Sequence, residues 1–429
     1  MTRYFYSLLA RYLGLHILDG DPVWDLRPQN SRLADALADR GVTVQAVESE
    51  DAALPAREGR GFVLLSGNVH YSPDIQRMMT AVAASCGPQV RVMVLFYSSL
   101  WRPLVRLATT LGWRDAAPEE NWVAPEDMYT FAQLTGLEVI SHQRRVLLPI
   151  YIPLLSTLCN RYLAHLPLFR SLCMVNLMML RRPDLTPDYQ PSVSVVVAAR
   201  NEEGNIENIV KRLPKLGPDD ELIFIEGNST DNTWQEIQRV QAAYAGTVNI
   251  QIGQQTGKGK GDAVRLGFDM ASKEILMILD ADITVPPEDL PKFYDAIRQN
   301  RGEFINGSRL VYPMEDEAMR FFNIIGNKFF ALAFSYVLGQ RLKDTLCGTK
   351  VLTRDNYQRI AANRRYFGDF DPFGDFDLLF GASRLGLRIV ELPIRYGART
   401  YGETNISRWS HGMLLLRMVV FAARKIRFI

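Results

Sequence analysis

A run of five apolar residues, 275–279, constrains the fold of this chain more than any other feature of its sequence. Strands that are apolar on both faces are typical of sheets covered by helices, so the run predicts a buried central strand. It ends in Asp280 and Asp282, and residues two apart in an extended chain point the same way. Two close carboxylates repel unless a cation lies between them. The pattern indicates a divalent metal shared with a phosphate ligand; the alternative is a solvated acidic turn before a helix.

The length of the chain predicts two domains, because 429 residues exceed what one compact core usually holds. Apolar runs alternate with helical segments on both sides of a proline-rich stretch at residues 181–191, which is typical of α/β folds. We place the domains at residues 1–187 and 188–429, each with its own sheet.

Composition and charge indicate which partners and which cellular compartment to expect. A formal net charge of +2 gives no electrostatic reason to expect nucleic acid as a partner. The four cysteines are scattered without metal-ligand spacing, which favours a reducing compartment. No signal-peptide pattern begins the chain, and no uncharged run is long and apolar enough to predict a membrane span. We therefore expect a cytoplasmic protein that is peripheral on the inner face of the cell membrane.

The first domain is expected to be Rossmann-like. Its predicted strands are residues 14–18, 42–47, 61–66 and 90–97, and a strand pair is predicted at residues 137–148. Their order, and the segment N-W-x-x-P-E-D from Asn121 followed by T-G-L-E-V, resembles the later part of a class I methyltransferase.

In that family, a glycine-rich turn after the first strand approaches S-adenosylmethionine, and an acid after the second strand binds its ribose. Here residues 19–22, D-G-D-P, stand at the turn, and a proline and two acids oppose close backbone approach. Glu48 stands at the place of the acid. We interpret the domain as a degenerate methyltransferase-like domain with a structural or regulatory role, in which S-adenosylmethionine is a doubtful cofactor.

Four polar motifs follow apolar runs in the second domain. They are V-S-V-V-V-A-A-R-N-E-E from Val193, S-T-D-N-T from Ser229, G-K-G-K-G-D-A from Gly257 and D-A-D-I-T-V-P-P from Asp280. In order and spacing they resemble a family 2 glycosyltransferase, whose fold is called GT-A, in the dolichol-phosphate mannosyltransferase-like or polyprenyl-phosphate branch. The resemblance covers about half of the chain. It implies inverting transfer of a sugar from a nucleotide diphosphate sugar to a polyprenyl-phosphate or other lipid-linked acceptor.

The resemblance also implies a set of donor-binding residues. They are Ala198, Arg200, Asn201, Glu202, Glu226, Ser229, Lys258, Lys260, Gly261, Asp280, Ala281 and Arg309. Asp280 and Asp282 would hold Mg²⁺ or Mn²⁺ on the diphosphate, where the cation stabilises charge that grows on the leaving group. The chemistry of the glycine loop agrees, because glycines permit close approach and Lys258 and Lys260 supply positive charge. A flexible basic turn is the alternative for that loop.

The expected catalytic carboxylates are Asp282, Asp344, Asp375 and Asp377. Inverting transfer to an alcohol needs a general base, for which a carboxylate serves, whereas a phosphate acceptor needs no strong base. Helix capping is the alternative for Asp375 and Asp377. Arg399 and Thr404 resemble the family's phosphate-contacting segment, and arginine can hold a phosphate with two parallel hydrogen bonds. A surface loop is the alternative there.

Three apolar stretches are candidates for contact with a membrane surface, which we expect as a partner. Residues 321–339 resemble an amphipathic helix at the bilayer, with a buried core helix as the alternative. Residues 413–422 are surrounded by cations, which suits an anionic surface. Residues 151–180 either lie on a membrane or pack between the domains.

Two other interpretations of the whole chain stay open: a bifunctional methyltransferase and glycosyltransferase, and a non-catalytic sugar-nucleotide-binding scaffold.

Overall fold

The computed structural model describes residues 2–49, 59–113, 121–184, 186, 188–312, 321–367, 376–397, 401 and 408–429. The chain divides into two compact units. The first is Met1–Asp184 together with Arg424–Ile429, and the second is Leu185–Ala423. Each unit has its own sheet covered by helices, so the predicted α/β class is confirmed. The return of the last six residues to the first unit was not predicted.

The first unit is built on a mixed sheet of strand order β2-β1-β3-β4-β6-β5. Its described elements are α1 (Thr2–Leu13), β1 (Val23–Leu26), α2 (Arg32–Ala38), β2 (Val44–Val47), β3 (Gly61–Ser66), α3 (Asn68–Tyr71), α4 (Ile75–Ser85), β4 (Val90–Tyr97), α5 (Arg102–Thr110), α6 (Pro125–Leu134), β5 (Glu138–Arg145), α7 (Leu155–Thr157), α8 (Pro167–Arg170) and β6 (Val175–Arg181). β1 to β4 pair in parallel, whereas β6 is antiparallel to both β4 and β5. Apolar residues of α4 and α6 pack in one core cluster, and those of α1 and α2 pack in another.

The prediction of the first strand was wrong. Residues 14–18 form turns after α1, and the first strand is Val23–Leu26. The turn that follows it is therefore residues 27–30, R-P-Q-N, rather than residues 19–22. It contains no glycine, and Arg27 has a φ of 40°, which residues other than glycine rarely adopt. The likeness to a methyltransferase stays a prediction, and this turn gives it no support.

The predicted strand pair at residues 137–148 is also corrected. That segment supplies one strand, β5, whose partner is β6 at Val175–Arg181. Every residue of β6 is buried, so the end of the apolar stretch at residues 151–180 belongs to the sheet.

The last six residues of the chain complete the first unit. Arg145 Nη1 donates a hydrogen bond to the carbonyl oxygen of Arg427 at 3.0 Å, and Arg161 Nε donates to that of Phe428 at 3.0 Å. The Phe428 ring lies edge-on to His165, with ring centres 5.3 Å apart. Arg427, one of the cations that follow residues 413–422, is itself buried.

The second unit has a seven-stranded sheet of order β13-β11-β12-β10-β7-β8-β9. Its described elements are β7 (Val193–Ala199), α9 (Ile206–Arg212), β8 (Glu221–Glu226), α10 (Thr233–Ala243), β9 (Ile250–Gln254), α11 (Lys260–Met270), β10 (Ile275–Ile278), α12 (Leu290–Arg298), β11 (Phe304–Ser308), α13 (Phe321–Leu338), β12 (Lys350–Thr353), α14 (Arg354–Ala362), α15 (Phe376–Arg384), β13 (Ile389–Pro393) and α16 (Arg408–Ala422). β12 is antiparallel to β10 and β11, and the other pairs are parallel.

The apolar run that precedes Asp280 forms β10, a fully buried strand between β7 and β12. This agrees with the predicted central strand. Because β10, β7 and β8 are parallel neighbours, their carboxyl ends meet at one edge of the sheet. The loops at that edge carry the polar motifs of the sequence.

Among the described helices, none is both long and apolar enough to cross a bilayer. Along α13, Phe334 and Val337 are buried in the second unit, whereas Phe329 and Leu332 are exposed. The helix therefore has a core-facing side and an apolar exposed side, and contact of the exposed side with a bilayer stays a prediction.

Candidate active site

The loops after β7 and β8 hold each other in place. The backbone N–H of Asn201 donates to the Ser229 hydroxyl at 3.1 Å, and the N–H of Thr230 donates to the Asn201 side chain at 2.8 Å. Asn201 and Asn228 both have a φ of 57°, a conformation that asparagine tolerates better than most residues. The N–H of Glu202 donates to Thr233 at 2.9 Å. Predicted donor-binding residues are thus brought together from two strands.

Glu226 ends β8 and is buried. Its carboxylate accepts hydrogen bonds from the backbone N–H of Ser229 and from the side chain of Gln254. It therefore braces the loop after its own strand. Of the other predicted residues here, Ala198 is half-buried and Arg200 is exposed.

The glycine loop leads into α11. Gly259 has a φ of 86°, a conformation that strongly favours glycine. This turn leaves Lys258 exposed, buries Gly261 and makes Lys260 the first residue of the helix. Lys260 Nζ donates to Asp280 Oδ1 at 2.6 Å. The loop and the D-x-D motif therefore meet through this ion pair.

Three cations favour the charged form of Asp280. Burial alone would raise the pKa of this carboxyl, but Lys260, followed by Lys350 and Arg309, holds the pKa below its ordinary value. Gly348 permits the close approach, because a Cβ atom there would collide with the Asp280 carboxylate and the Lys260 ammonium group. Ala281, between the two aspartates, is buried.

Asp282 is fixed by the turn that follows it. Its Oδ1 accepts hydrogen bonds from the backbone N–H of Thr284 at 3.1 Å and from the Thr284 hydroxyl at 2.8 Å. Ile283, between them, has a φ of 55°, which is unfavourable for a β-branched residue. Such strain tends to occur at functional sites, where the surrounding structure enforces it.

The chemistry of this edge fits a divalent cation. Asp280 and Asp282 offer hard carboxylate oxygens, and Mg²⁺ beside a nucleotide is typically held by one or two carboxylates plus phosphate oxygens. The partly exposed ammonium group of Lys260, beside Asp280, would in turn face phosphate oxygens. The residue types therefore suit a metal-bridged diphosphate.

Arg309 and Asp344 form a buried pair. Nε and Nη2 of Arg309 donate to the two oxygens of Asp344 at 2.7 and 2.8 Å. Burial would raise the pKa of the Asp344 carboxyl, but the Arg309 guanidinium holds it below its usual value. Glu391 accepts from the Asp344 backbone N–H at 3.0 Å, and Asn306 donates to the Asp344 carbonyl oxygen at 2.6 Å.

Asp377 belongs to a different ion-pair cluster. Its Oδ2 accepts from Arg265 Nη2 at 3.2 Å and from Arg364 Nε at 3.2 Å. Burial raises the pKa of this carboxyl, against the opposing effect of the two arginines. The other predicted residues of the acceptor side, Asp375, Arg399 and Thr404, lie outside the described residues.

Four residues of this region were not predicted from the sequence to have a role: Lys350, Asn306, Glu391 and Tyr396. Lys350 is completely buried and donates to the carbonyl oxygen of Cys347. The Arg309 guanidinium lies over the Tyr396 ring, 5.3 Å from its centre. Lys350 is the last residue of the segment D-T-L-C-G-T-K, which starts at Asp344. A lysine at the end of this mostly uncharged segment was the one feature of the sequence that could have indicated its role. Glu391 and Tyr396 carry no such signal, because only β13 brings them to the site.

Residues 194–361 match the sequence profile of the family described as Glycosyl transferase family 2. A dolichol-phosphate mannosyltransferase of Pyrococcus furiosus is 28% identical over 220 residues, which are 50% of this chain and 59% of that protein. An undecaprenyl-phosphate mannosyltransferase of Micrococcus luteus is 26% identical, with 50% of this chain and 87% of that protein covered. The chain thus spans about three fifths of the Pyrococcus protein.

A solved structure also aligns. It is glucosyl-3-phosphoglycerate synthase from Mycobacterium tuberculosis, in complex with Mn²⁺, uridine diphosphate and glucosyl-3-phosphoglycerate. The alignment covers 55% of this chain and 80% of that one, at 20% identity and a TM-score of 0.40. Similarity at this level adds no argument about the site.

Proposed function

We propose that the second unit, which carries a family 2 glycosyltransferase domain, transfers a sugar from a nucleoside diphosphate sugar to a lipid-linked acceptor such as a polyprenyl phosphate. The observation that carries the proposal is the contact between the glycine loop and the D-x-D motif, in which Lys260 Nζ donates to Asp280 Oδ1 at 2.6 Å. Cations and carboxylates at the carboxyl edge of a parallel sheet suit a diphosphate bridged by a divalent cation. The acceptor class is supported by the two mannosyltransferase relatives, whose names contain dolichol phosphate and undecaprenyl phosphate.

In this proposal the donor lies over the loops after β7 and β8. The hydrogen bond between Asn201 and Ser229 holds the two loops in a fixed position, on which the nucleoside binds. The exposed Lys258 adds positive charge beside the diphosphate. Asp280 and Asp282 hold Mg²⁺ or Mn²⁺, which, when bound, neutralises charge on the leaving nucleoside diphosphate.

Asp344 serves to orient Arg309. A carboxylate held in two hydrogen bonds by a guanidinium, with a lowered pKa, is a weak proton acceptor. An acceptor phosphate is already an anion and needs no strong base. The pair instead fixes Arg309, whose charge then faces the reacting phosphates. Direct attack of the acceptor on the sugar carbon would invert its configuration.

The carboxylate of Asp377 pairs with Arg265 of α11 and with Arg364, and we assign it a structural role. Contacts of Arg399 and Thr404 with the acceptor phosphate stay a prediction. Both α13 and α16 expose apolar side chains, among them Leu332 and Leu416. These side chains support a peripheral position on the inner face of the cell membrane.

The test is release of nucleoside diphosphate from a panel of UDP, GDP, CDP and dTDP sugars, with polyprenyl phosphate and with or without Mn²⁺. We expect one donor to react, only when metal and acceptor are both present. Asp282→Asn should fold normally and lower the rate by about a hundredfold or more. Asp289→Asn, a matched change at an acid paired with Lys292, should leave the rate unchanged. Full turnover of Asp282→Asn at saturating Mn²⁺ would rule out the metal role.

A further inference from the structure

The first unit exposes an apolar helix face. In α5, Val105 is buried in the core, whereas Leu104 and Leu107 are more than half exposed. Leu111, just after the helix, extends the same stripe at a spacing of three to four residues, and it is also exposed. A surface helix normally turns its apolar stripe to the core, so this arrangement is the reverse of the usual one.

A second apolar segment lies between β5 and β6. Leu154 is 87% exposed and Leu168 is 79% exposed. Other large apolar side chains of the segment are exposed as well: Ile150, Tyr151, Ile152, Leu155, Leu158, Tyr162, Leu166 and Leu172. Exposed apolar residues in such number within one short stretch mark an interaction site.

The two segments are joined at the start of α5. Trp101 Nε1 donates to the carbonyl oxygen of Leu172 at 2.7 Å, and the N–H of Ser98 donates to that of Met174 at 2.8 Å. We call the exposed apolar residues of 100–113 and 150–172 the apolar face of the first unit.

Buried polar side chains hold this face in a fixed shape. Asn160 Oδ1 accepts from the backbone N–H groups of Leu147 and Leu148, at 2.8 and 2.9 Å. The Ser156 hydroxyl bonds the backbone of Ile150 and Ile152. Leu154 has a φ of 63°, a backbone conformation that is unfavourable for leucine. The surrounding structure enforces this conformation at the exposed leucine.

The charge of the face is of one sign. Residues 97–113 and 139–183 contain no aspartate or glutamate, yet Arg102, Arg106, Arg161 and Arg170 are distributed among the leucines. Leucine and aromatic side chains with arginine between them suit the boundary between lipid headgroups and acyl chains. Two copies of a basic face would repel each other, whereas an anionic bilayer attracts it.

We propose that the apolar face of the first unit binds the surface of an anionic lipid bilayer. The leucines enter the headgroup region, and the arginines contact lipid phosphates. This assigns a binding role to the first unit that requires neither S-adenosylmethionine nor the sugar donor. It is independent of the proposed transfer reaction, because the bilayer itself is the ligand.

The test is co-sedimentation of the full chain with vesicles of phosphatidylcholine alone, and of phosphatidylcholine with about 30% phosphatidylglycerol. We expect tight binding to the anionic vesicles, weakened by added salt. The double variant Leu107→Ser/Leu168→Ser should lower the partition coefficient by about tenfold or more. Leu134→Ser, at an exposed leucine of α6 outside the face, should bind like the wild type.

Three outcomes would overturn the proposal. One is the absence of binding to either vesicle. Another is loss of binding in Leu332→Ser/Leu416→Ser, on the second unit, with the first-unit variant unaffected. A third is a dimer in solution that only Leu107→Ser/Leu168→Ser dissociates, since a second copy would then cover the face. The vesicles contain no polyprenyl phosphate and no sugar donor, so these outcomes leave the transferase proposal untouched.

Discussion

At the scale of single residues, the proposed active site depends on how closely charges can approach one another. Lys260 reaches Asp280 at 2.6 Å only because position 348 has no side chain. A cation and an anion this close, near further charges, set the electrostatic character of the site before any ligand arrives. Small changes at Gly348 should therefore have large effects.

We expect Gly348→Ala to lower kcat/KM by about tenfold or more, equivalent to about 1.4 kcal/mol of transition-state stabilisation. Its Cβ would push the Asp280 carboxylate away from Lys260. Steady-state kinetics with the reactive donor would measure the loss. Gly326→Ala is the control, because a Cβ atom at that helical position meets open space. Equal kinetics for the two variants would show that the close approach is unimportant.

Asp25, in the middle of β1, gives a prediction for stability. Burial raises the pKa of its carboxyl from the usual 3.8 to about 6, despite a hydrogen bond from Ser66. The folded state then holds the proton more tightly than the unfolded chain. The stability contributed by this proton is complete below about pH 4 and is lost as the pH rises through about 6.

Asp25→Asn removes the cost of ionising the buried group. We expect it to stabilise the first unit at pH 7 by up to about 3 kcal/mol and to have little effect near pH 4. Thermal unfolding from about pH 4 to 7.5 would measure the difference between variant and wild type. A difference that does not change with pH would contradict the explanation.

At the scale of elements, strands with clear polar boundaries were predictable. β3 and β4 begin and end where the sequence predicted, because each is an apolar run bounded by polar or turn residues. β1 was missed, since it has only four residues and contains the buried Asp25. β6 was hidden inside a long apolar stretch with no turn residue at its start. Its burial follows from pairing with β4 and β5, which are distant in sequence.

Some residues of the candidate site could also be predicted from the sequence, and others could not. The motifs predicted that Lys260, Asp280 and the loops after β7 and β8 share one edge, because the carboxyl ends of parallel strands meet there. Glu391 could not be predicted, because it reaches the site through pairing of β13 with β11. Pairing over such distances leaves no local pattern.

The loop between β5 and β6 gives a prediction at this scale. Asn160→Ala removes four hydrogen bonds from a buried position, three with the backbone of Leu147 and Leu148 and one with the Tyr4 hydroxyl. We expect a loss of about 2–4 kcal/mol in the stability of the first unit, because backbone groups would lose their partners. Thermal unfolding would measure it, with Gln133→Ala at an exposed position of α6 as the control. An unchanged melting temperature would mean that water replaces the amide at no cost.

At the scale of the whole molecule, the two units should respond differently to changes at the end of the chain. Removal of residues 424–429 takes Phe428 from its contact with His165 and leaves the Arg145 side chain without the Arg427 carbonyl oxygen. We expect the first unit to melt at a lower temperature, with nucleotide binding by the second unit unchanged. Calorimetry with and without the nucleoside diphosphate and Mn²⁺ would separate the two transitions, because a ligand raises only the transition of the unit that binds it.

The return of the chain to the first unit also has a consequence for synthesis. The ribosome makes residues 1–184 before residues 185–423, whereas residues 424–429, which belong to the same unit as 1–184, come only after both. At usual rates of translation this delay is on the order of ten to fifty seconds. During that time the second unit can fold from a complete sequence, whereas the first must wait with part of its core open. Of the two units, the one whose synthesis begins earlier is therefore the one that can finish folding later.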